Sequence, residues 1–156
     1  EDRQATLVET GNLGLKEYDC GDRAAALDYL HRAEDGLRRL YGENNYAAHS
    51  FRYALAGALA EQGRHREARE AAASLDAAVL AGGSDDAAWT ARLRALQGKL
   101  MILAGDAASG GPLLEQALAE LVALDSEAPE ELERLRALLA AADAAPGTPA
   151  TPATGR

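Results

Sequence analysis

The sequence predicts an all-α protein, and three observations carry that prediction. Of the 156 residues, 37 are Ala and 24 are Leu, whereas the β-branched apolar residues number four: Val8, Val79, Val122 and Ile102. Ala and Leu are the strongest helix formers and β-branched side chains favour strands, so a sandwich, a barrel or an α/β sheet is not expected. Three glycines, Gly21, Gly63 and Gly105, recur at a spacing of 42, and small residues recur beside them at the same offset. Gly14, Ala56 and Gly98 precede them, and Ala26, Ala68 and Gly110 follow. Small residues at fixed register mark places where two helices cross closely. Finally, Leu132, Leu135, Leu138 and Leu139 lie on one face of a 3.6-residue helix near the C-terminus.

Each element follows from its own signals. A first helix is expected from about Arg3 to Asp19. Gly21 then supplies a left-handed C-terminal residue, and Asp22 caps a second helix from about Arg23 to Leu40. The turn formers Tyr41 to Asn45 separate it from a third helix, about Tyr46 to Gln62, and Gly63 leads to a fourth, about Arg64 to Leu80. After Ala81 to Ser84, with Ser84 or Asp85 as cap, a fifth helix is expected from about Asp85 to Ala104. Gly105-Asp106 opens a sixth, Ala107 to Leu124, although Gly110-Gly111-Pro112 can delay its start to Pro112 or kink it. A last helix is expected over 126–143, with Ser126 as N-cap, Pro129 in the first turn, and Glu127, Glu130 and Glu131 at its positive end. Residues 1–143 thus read as one repeat domain with units 3–40, 45–80 and 85–124, and 144–156 as a Pro/Thr/Ala tail without periodicity.

Charge and cysteine content narrow the function classes. Lys and Arg number 16 against 25 Asp and Glu, a formal net charge of −9, so no nucleic-acid partner is expected. The short basic stripe Arg64, His65, Arg66 and Arg69 is interleaved with Glu61, Glu67 and Glu70 and reads as a wet helix face. Cys20 is the only cysteine, which rules out an intramolecular disulfide and fits a cytoplasmic setting. The chain starts without Met, which suggests a fragment of a larger protein and leaves a periplasmic setting open. No apolar run reaches the ~18 residues of a membrane span, and no membrane insertion is expected.

The stretch Tyr41-Gly42-Glu43-Asn44-Asn45-Tyr46-Ala47-Ala48, followed by Leu55-Ala56, Leu59 and Gln62-Gly63-Arg64-His65-Arg66-Glu67-Ala68, resembles the tetratricopeptide repeat (TPR) family. The likeness is to its 42-residue form, found in kinesin light chains and bacterial multidomain proteins. Leu13-Gly14, Gly21-Asp22, Ala26, Leu30 and Ala33 make a second unit. Gly98, Met101, Gly105-Asp106, Leu114, Ala117 and Leu118 make a third, so the resemblance covers about residues 5 to 125. It implies a right-handed α-solenoid of three helix pairs plus a C-terminal capping helix. It also implies a non-catalytic scaffold whose first helices line a concave groove for a protein or peptide partner. By the register, that groove comprises Val8, Asn12, Leu15, Tyr18 and Asp19, then Ser50, Tyr53, Ala54, Gly57 and Glu61, then Arg92, Leu96, Lys99, Ile102 and Leu103. The sequence departs from the family where Thr10, Arg52 and Arg94 replace a bulky apolar residue and Gln97 replaces a Leu. The carboxylate clamp of chaperone-binding relatives finds only Asn12 and Lys99 near its roles, and Tyr53-Ala54 and Ala95-Leu96 stand where kinesin-type relatives carry paired Asn.

Other chemistry is thinly signalled. His31 shares a helix face with Glu34 and Asp35 without a metal-site spacing, and Gly82-Gly83-Ser84 lacks a P-loop Lys. No cofactor, metal or enzymatic activity is expected. Trp89 reads as core or connector packing, and Glu130, Glu131 and Glu133 as a wet face. Two other roles fit the same layout. One is a sensory or regulatory ligand-binding domain of a bacterial kinase or transcription regulator, in which Tyr18, Tyr53 and Lys99 line a closed pocket. The other is self-association, as a homodimer, through the uncapped N-terminal face.

Overall fold

A computed structural model describes residues 2–82 and 87–144. Among them all regular structure is helical: α1 (Asp2–Cys20), α2 (Arg23–Tyr41), α3 (Tyr46–Glu61), α4 (His65–Ala73), α5 (Ala77–Ala81), α6 (Ala87–Leu103), α7 (Ala107–Ala123) and α8 (Pro129–Ala144). The expected cap at Ser84 or Asp85 and the tail beyond Ala144 lie outside the described residues.

Local chemistry sets most boundaries. The Asp22 carboxylate accepts from the Ala25 N–H at 3.0 Å, Asn45 from Ala48 at 3.0 Å, and Asp106 from Ser109 at 3.1 Å, so the first turns of α2, α3 and α7 are capped by side chains. Gly21, Gly63 and Gly105 take φ of +91°, +74° and +89°, the left-handed region that the 42-residue spacing called for. The recurring small residues sit at crossings. A Cβ on Gly14 would come within 2.9 Å of the Leu30 side chain, and one on Gly98 within 2.8 Å of the Leu114 backbone nitrogen. α7 runs unbroken from Ala107 with Pro112 inside it, so its start is not delayed.

Two expected elements differ. The helix expected from Arg64 to Leu80 is two helices, α4 and α5, with Ser74-Leu75-Asp76 between them. The break serves side chains of α3. The Arg52 guanidinium donates to Ser74 Oγ at 2.7 Å, and the Asp76 N–H donates to His49 Nδ1 at 3.3 Å. His49 Nε2 lies 2.8 Å from the Glu43 carbonyl, so one neutral tautomer, protonated at Nε2, satisfies both contacts. The Asp76 carboxylate then caps α5 through the Ala78 N–H at 2.8 Å. The last helix begins at Pro129, not Ser126. Ser126 gives its carbonyl to the Arg92 guanidinium instead of its hydroxyl to a helix end, and Asp125 turns the chain at φ +46°.

The most extensive packing is of α1 on α2, α2 on α3, α3 on α4 and α6 on α7. Lighter contacts join α1 to α3, α3 to α6 and α6 to α8, so these four lie side by side in that order. Two apolar cores result. The larger centres on α2, α3 and α4 and takes Leu96 and Leu100 from α6. The smaller joins Ala91 and Ala95 of α6 to Leu114, Leu118 and Leu121 of α7 and Leu135 of α8. Two of the three register positions that depart from a bulky apolar residue are filled by ion pairs, buried Arg52 on buried Glu34 and Arg94 on Glu120; at the third, the Thr10 hydroxyl donates to the Thr6 carbonyl at 2.8 Å. Glu34 and Asp35, beside exposed His31, are thereby committed to arginines, Asp35 to Arg38 and Arg39 at 2.9 Å each.

Candidate functional site

The row α1, α3, α6, α8 encloses a cavity of about 480 Å³. Each helix contributes one stripe at helical spacing: Leu15 and Tyr18 from α1; Ser50, Tyr53, Gly57 and Glu61 from α3; Trp89, Arg92, Leu96 and Lys99 from α6. Glu131, Arg134 and Leu135 of α8 and Glu127 just before it close the far side. A second cavity of about 370 Å³ shares Glu61, Lys99, Glu131, Arg134 and Leu135 with the first and continues past them to His65, Leu103 and Leu138.

Of the groove residues named by the register, Leu15, Tyr18, Ser50, Tyr53, Glu61, Arg92, Leu96 and Lys99 meet in the first cavity, together with Ala54 and Gly57. Leu103 lines the second. Asn12 is exposed on α1 and lines neither, so it is not brought together with Lys99. Val8 packs against the larger core and Ile102 against the smaller. Trp89 and the four residues at or near α8 were not expected in the lining. The signal for the latter was the α8 stripe itself: a helix that buries Leu135 against the last pair also turns Glu131 and Arg134 along that side.

The aromatic wall is ordered. Tyr53 meets Trp89 edge to face, ring centroids 5.4 Å apart at 87°, and the Arg92 guanidinium lies 5.0 Å over the Trp89 ring. Burial pushes the Tyr53 phenol up to about 12, with the Glu127 carboxylate adding to the rise and Arg92 opposing it. Tyr18 donates its hydroxyl to Glu61 and carries Arg23 over its ring at 4.3 Å. Burial, then that bond to the Glu61 carboxylate, holds its phenol well above the ordinary tyrosine range.

The charges of the site are mostly committed to one another. Glu61 pairs with Arg23 at 3.3 Å, Glu127 with Arg92 at 3.0 Å and Glu131 with Arg134 at 3.2 Å. Lys99 has no ion pair among the described residues. Ser50 Oγ in the first cavity and His65 Nδ1 in the second are buried without a hydrogen-bond partner. A buried polar atom without a partner is uncommon, and a ligand is one way of supplying it.

Gly57 adds a second kind of observation. Five other glycines inside helices, Gly11, Gly14, Gly36, Gly98 and Gly110, have a neighbour within 3.0 Å of where a Cβ would stand. At Gly57, in the middle of α3, a Cβ would meet nothing within 4 Å, because the cavity lies there. A glycine inside a helix costs about 0.5–1 kcal/mol relative to Ala, and here no close approach accounts for that cost.

Among the described residues no helix is long and apolar enough to cross a membrane, and no group of three or more His, Cys, Asp or Glu is placed to hold a metal ion. Compared with protein-family models, with curated proteins and with solved structures, the chain finds no match.

Proposed function

We propose that this chain is a non-catalytic recognition module that holds a short peptide segment of a protein partner in the cavity between α1, α3, α6 and α8. In this reading the helices are a TPR-like right-handed α-solenoid of three pairs, α1 with α2, α3 with α4 and α5, and α6 with α7, with α8 as the cap. The side-by-side order of α1, α3, α6 and α8 supports that arrangement. The observation that carries the function is the convergence of one stripe from each of the three first helices on a single cavity, whose floor at Gly57 is left open. A volume of about 480 Å³ lies in the range of ligand pockets, ~300–1,000 Å³. It suits a few side chains of an extended segment and not a folded domain.

The test is to block the cavity without removing any contact. Gly57→Leu places a side chain in open space and replaces a poor helix former with a good one, so the fold is kept. Peptides selected by display on the wild-type chain are expected to lose binding to Gly57→Leu. Selection of no peptide, or of peptides that bind both chains equally, overturns the reading.

A further inference from the structure

Three of the four helices around the first cavity are bound into the larger core, and the fourth is not. α1, α3 and α6 each give side chains to that core. α8 packs on α7 and more lightly on α6, and Leu135 is its one buried residue. Among the described residues its ion pairs, Glu131 with Arg134 and Glu133 with Arg136, stay within the helix. Its charged tie to the rest of the protein lies in the turn before it. There the Arg92 guanidinium of α6 pairs with Glu127 at 3.0 Å and donates to the Ser126 carbonyl oxygen. The same guanidinium lies 5.0 Å over the Trp89 ring, so the tie is built into the cavity wall. The turn itself is held in an unfavourable form. Among the described residues Asp125 is the one non-glycine in the left-handed region, at φ +46°. Ser126 Oγ is buried without a hydrogen-bond partner, a cost that contact with water removes.

We infer that α8 is a movable lid on the cavity, hinged at Asp125 and Ser126 and latched shut by Arg92. Its inner side carries Glu131, Arg134 and Leu135, so swinging it outward uncovers the wall formed by Tyr53 and Trp89. Opening relaxes Asp125 and hydrates Ser126, and it breaks the two charge-assisted bonds of Arg92. The three residues therefore act on one equilibrium with opposite signs: Arg92 favours the closed lid, Asp125 and Ser126 the open one. Resting on the recognition-module reading, the lid regulates that site. The bound segment enters while α8 is open, and closure over the segment slows its release.

The probe is dithiodipyridine, an aromatic disulfide that reports thiol access by absorbance. Cys20→Ser removes the exposed native thiol, and Gly57→Cys places a new one on the cavity floor, where a Cβ meets nothing within 4 Å. In this background Arg92→Gln is expected to speed labelling of the introduced thiol about tenfold, the worth of a charged hydrogen bond. Asp125→Gly, which takes a positive φ freely, and Ser126→Ala, which removes the orphaned hydroxyl, are each expected to slow it roughly threefold. Amide hydrogen exchange locates the motion: Arg92→Gln is expected to speed exchange in α8 and leave α7 unchanged. Labelling that Arg92→Gln leaves unchanged, or that Asp125→Gly and Ser126→Ala speed, overturns the lid. Equal acceleration of exchange in α7 and α8 also overturns it, because the C-terminal half is then unfolding. If the lid falls while display-selected peptides still lose binding to Gly57→Leu, the recognition module stands. If labelling follows the three variants as expected and no peptide is selected, the lid stands and the recognition module falls.

Discussion

Arg52 shows how much one buried charge asks of its surroundings. Its side chain is 8% exposed and its partner Glu34 is 9% exposed, so neither is solvated by bulk water. Arg52→Ala removes the guanidinium and leaves the carboxylate buried, with only Arg38 at 3.5 Å in support. Breaking a buried pair from one side costs about 3–5 kcal/mol, a large part of a domain's ~5–15 kcal/mol. The expected urea midpoint of Arg52→Ala is therefore far below wild type. Glu34→Leu/Arg52→Met, which removes both charges, is expected to recover most of the loss. Tyr53 makes a prediction in pH. Its phenol titrates near 12 when folded and near ~10 when unfolded, so folding favours the neutral form. The resulting stability is complete below about pH 10 and is lost as pH rises through about 12. Tyr53→Phe has no phenol to ionise. In thermal melts over that window its midpoint is expected to fall less steeply than that of wild type.

Glycines inside helices carry opposite predictions at the scale of the element. At Gly98 a Cβ would stand 2.8 Å from the Leu114 nitrogen and 2.9 Å from the Gly110 carbonyl oxygen, both backbone atoms that side-chain rotation cannot relieve. Gly98→Ala must part α6 from α7 and is expected to cost about 1–3 kcal/mol despite its better helix propensity. Gly57→Ala meets open space and is expected to gain up to about 1 kcal/mol. The same substitution thus changes sign between α3 and α6, which parallel urea titrations would read. Asp76→Ala tests the break between α4 and α5. Loss of its cap on the Ala78 N–H is expected to cost about 1 kcal/mol.

These elements also show what the sequence could and could not reveal. The turns at Gly21, Gly63 and Gly105 were legible because a left-handed backbone strongly selects one residue type, and that choice repeats at a readable spacing. The crossing at Gly98 was legible for a similar reason: a close approach selects small residues. The break at Ser74–Asp76 was not. Its partners, Arg52 and His49, lie 22 and 27 residues earlier, and Ser-Leu-Asp on its own is compatible with a helix. In the cavity, the register named the α1 and α3 lining and, on α6, Arg92, Leu96 and Lys99 but not Trp89 or Ala95. Glu127 and Glu131 depend instead on the Ser126 turn that satisfies Arg92, a contact 34 residues apart with no local signature. Polar residues that answer distant polar residues leave no periodic trace.

For the molecule as a whole, the arrangement of helices around a shared cavity sets the response to a ligand. Walls from α1 and α3 belong with the larger core and walls from α8 with the smaller. A peptide that touches both sides binds only the assembled state, and at a hundredfold excess over its Kd it is expected to add about 2.7 kcal/mol to the unfolding free energy. The measured shift in melting temperature with peptide concentration checks this. It is expected to vanish in Gly57→Leu.

α6 takes part in both cores at once, giving Leu96 and Leu100 to one and Ala91 and Ala95 to the other. It is therefore the seam along which the two halves share their fate. Amide hydrogen exchange should show this. Without a ligand, α8, which buries little more than Leu135, opens at low free energy and leaves α6 protected by its other face. With the cavity occupied, the amides of α8 should slow together with those of α3, so that two regions more than sixty residues apart in the chain exchange as one unit.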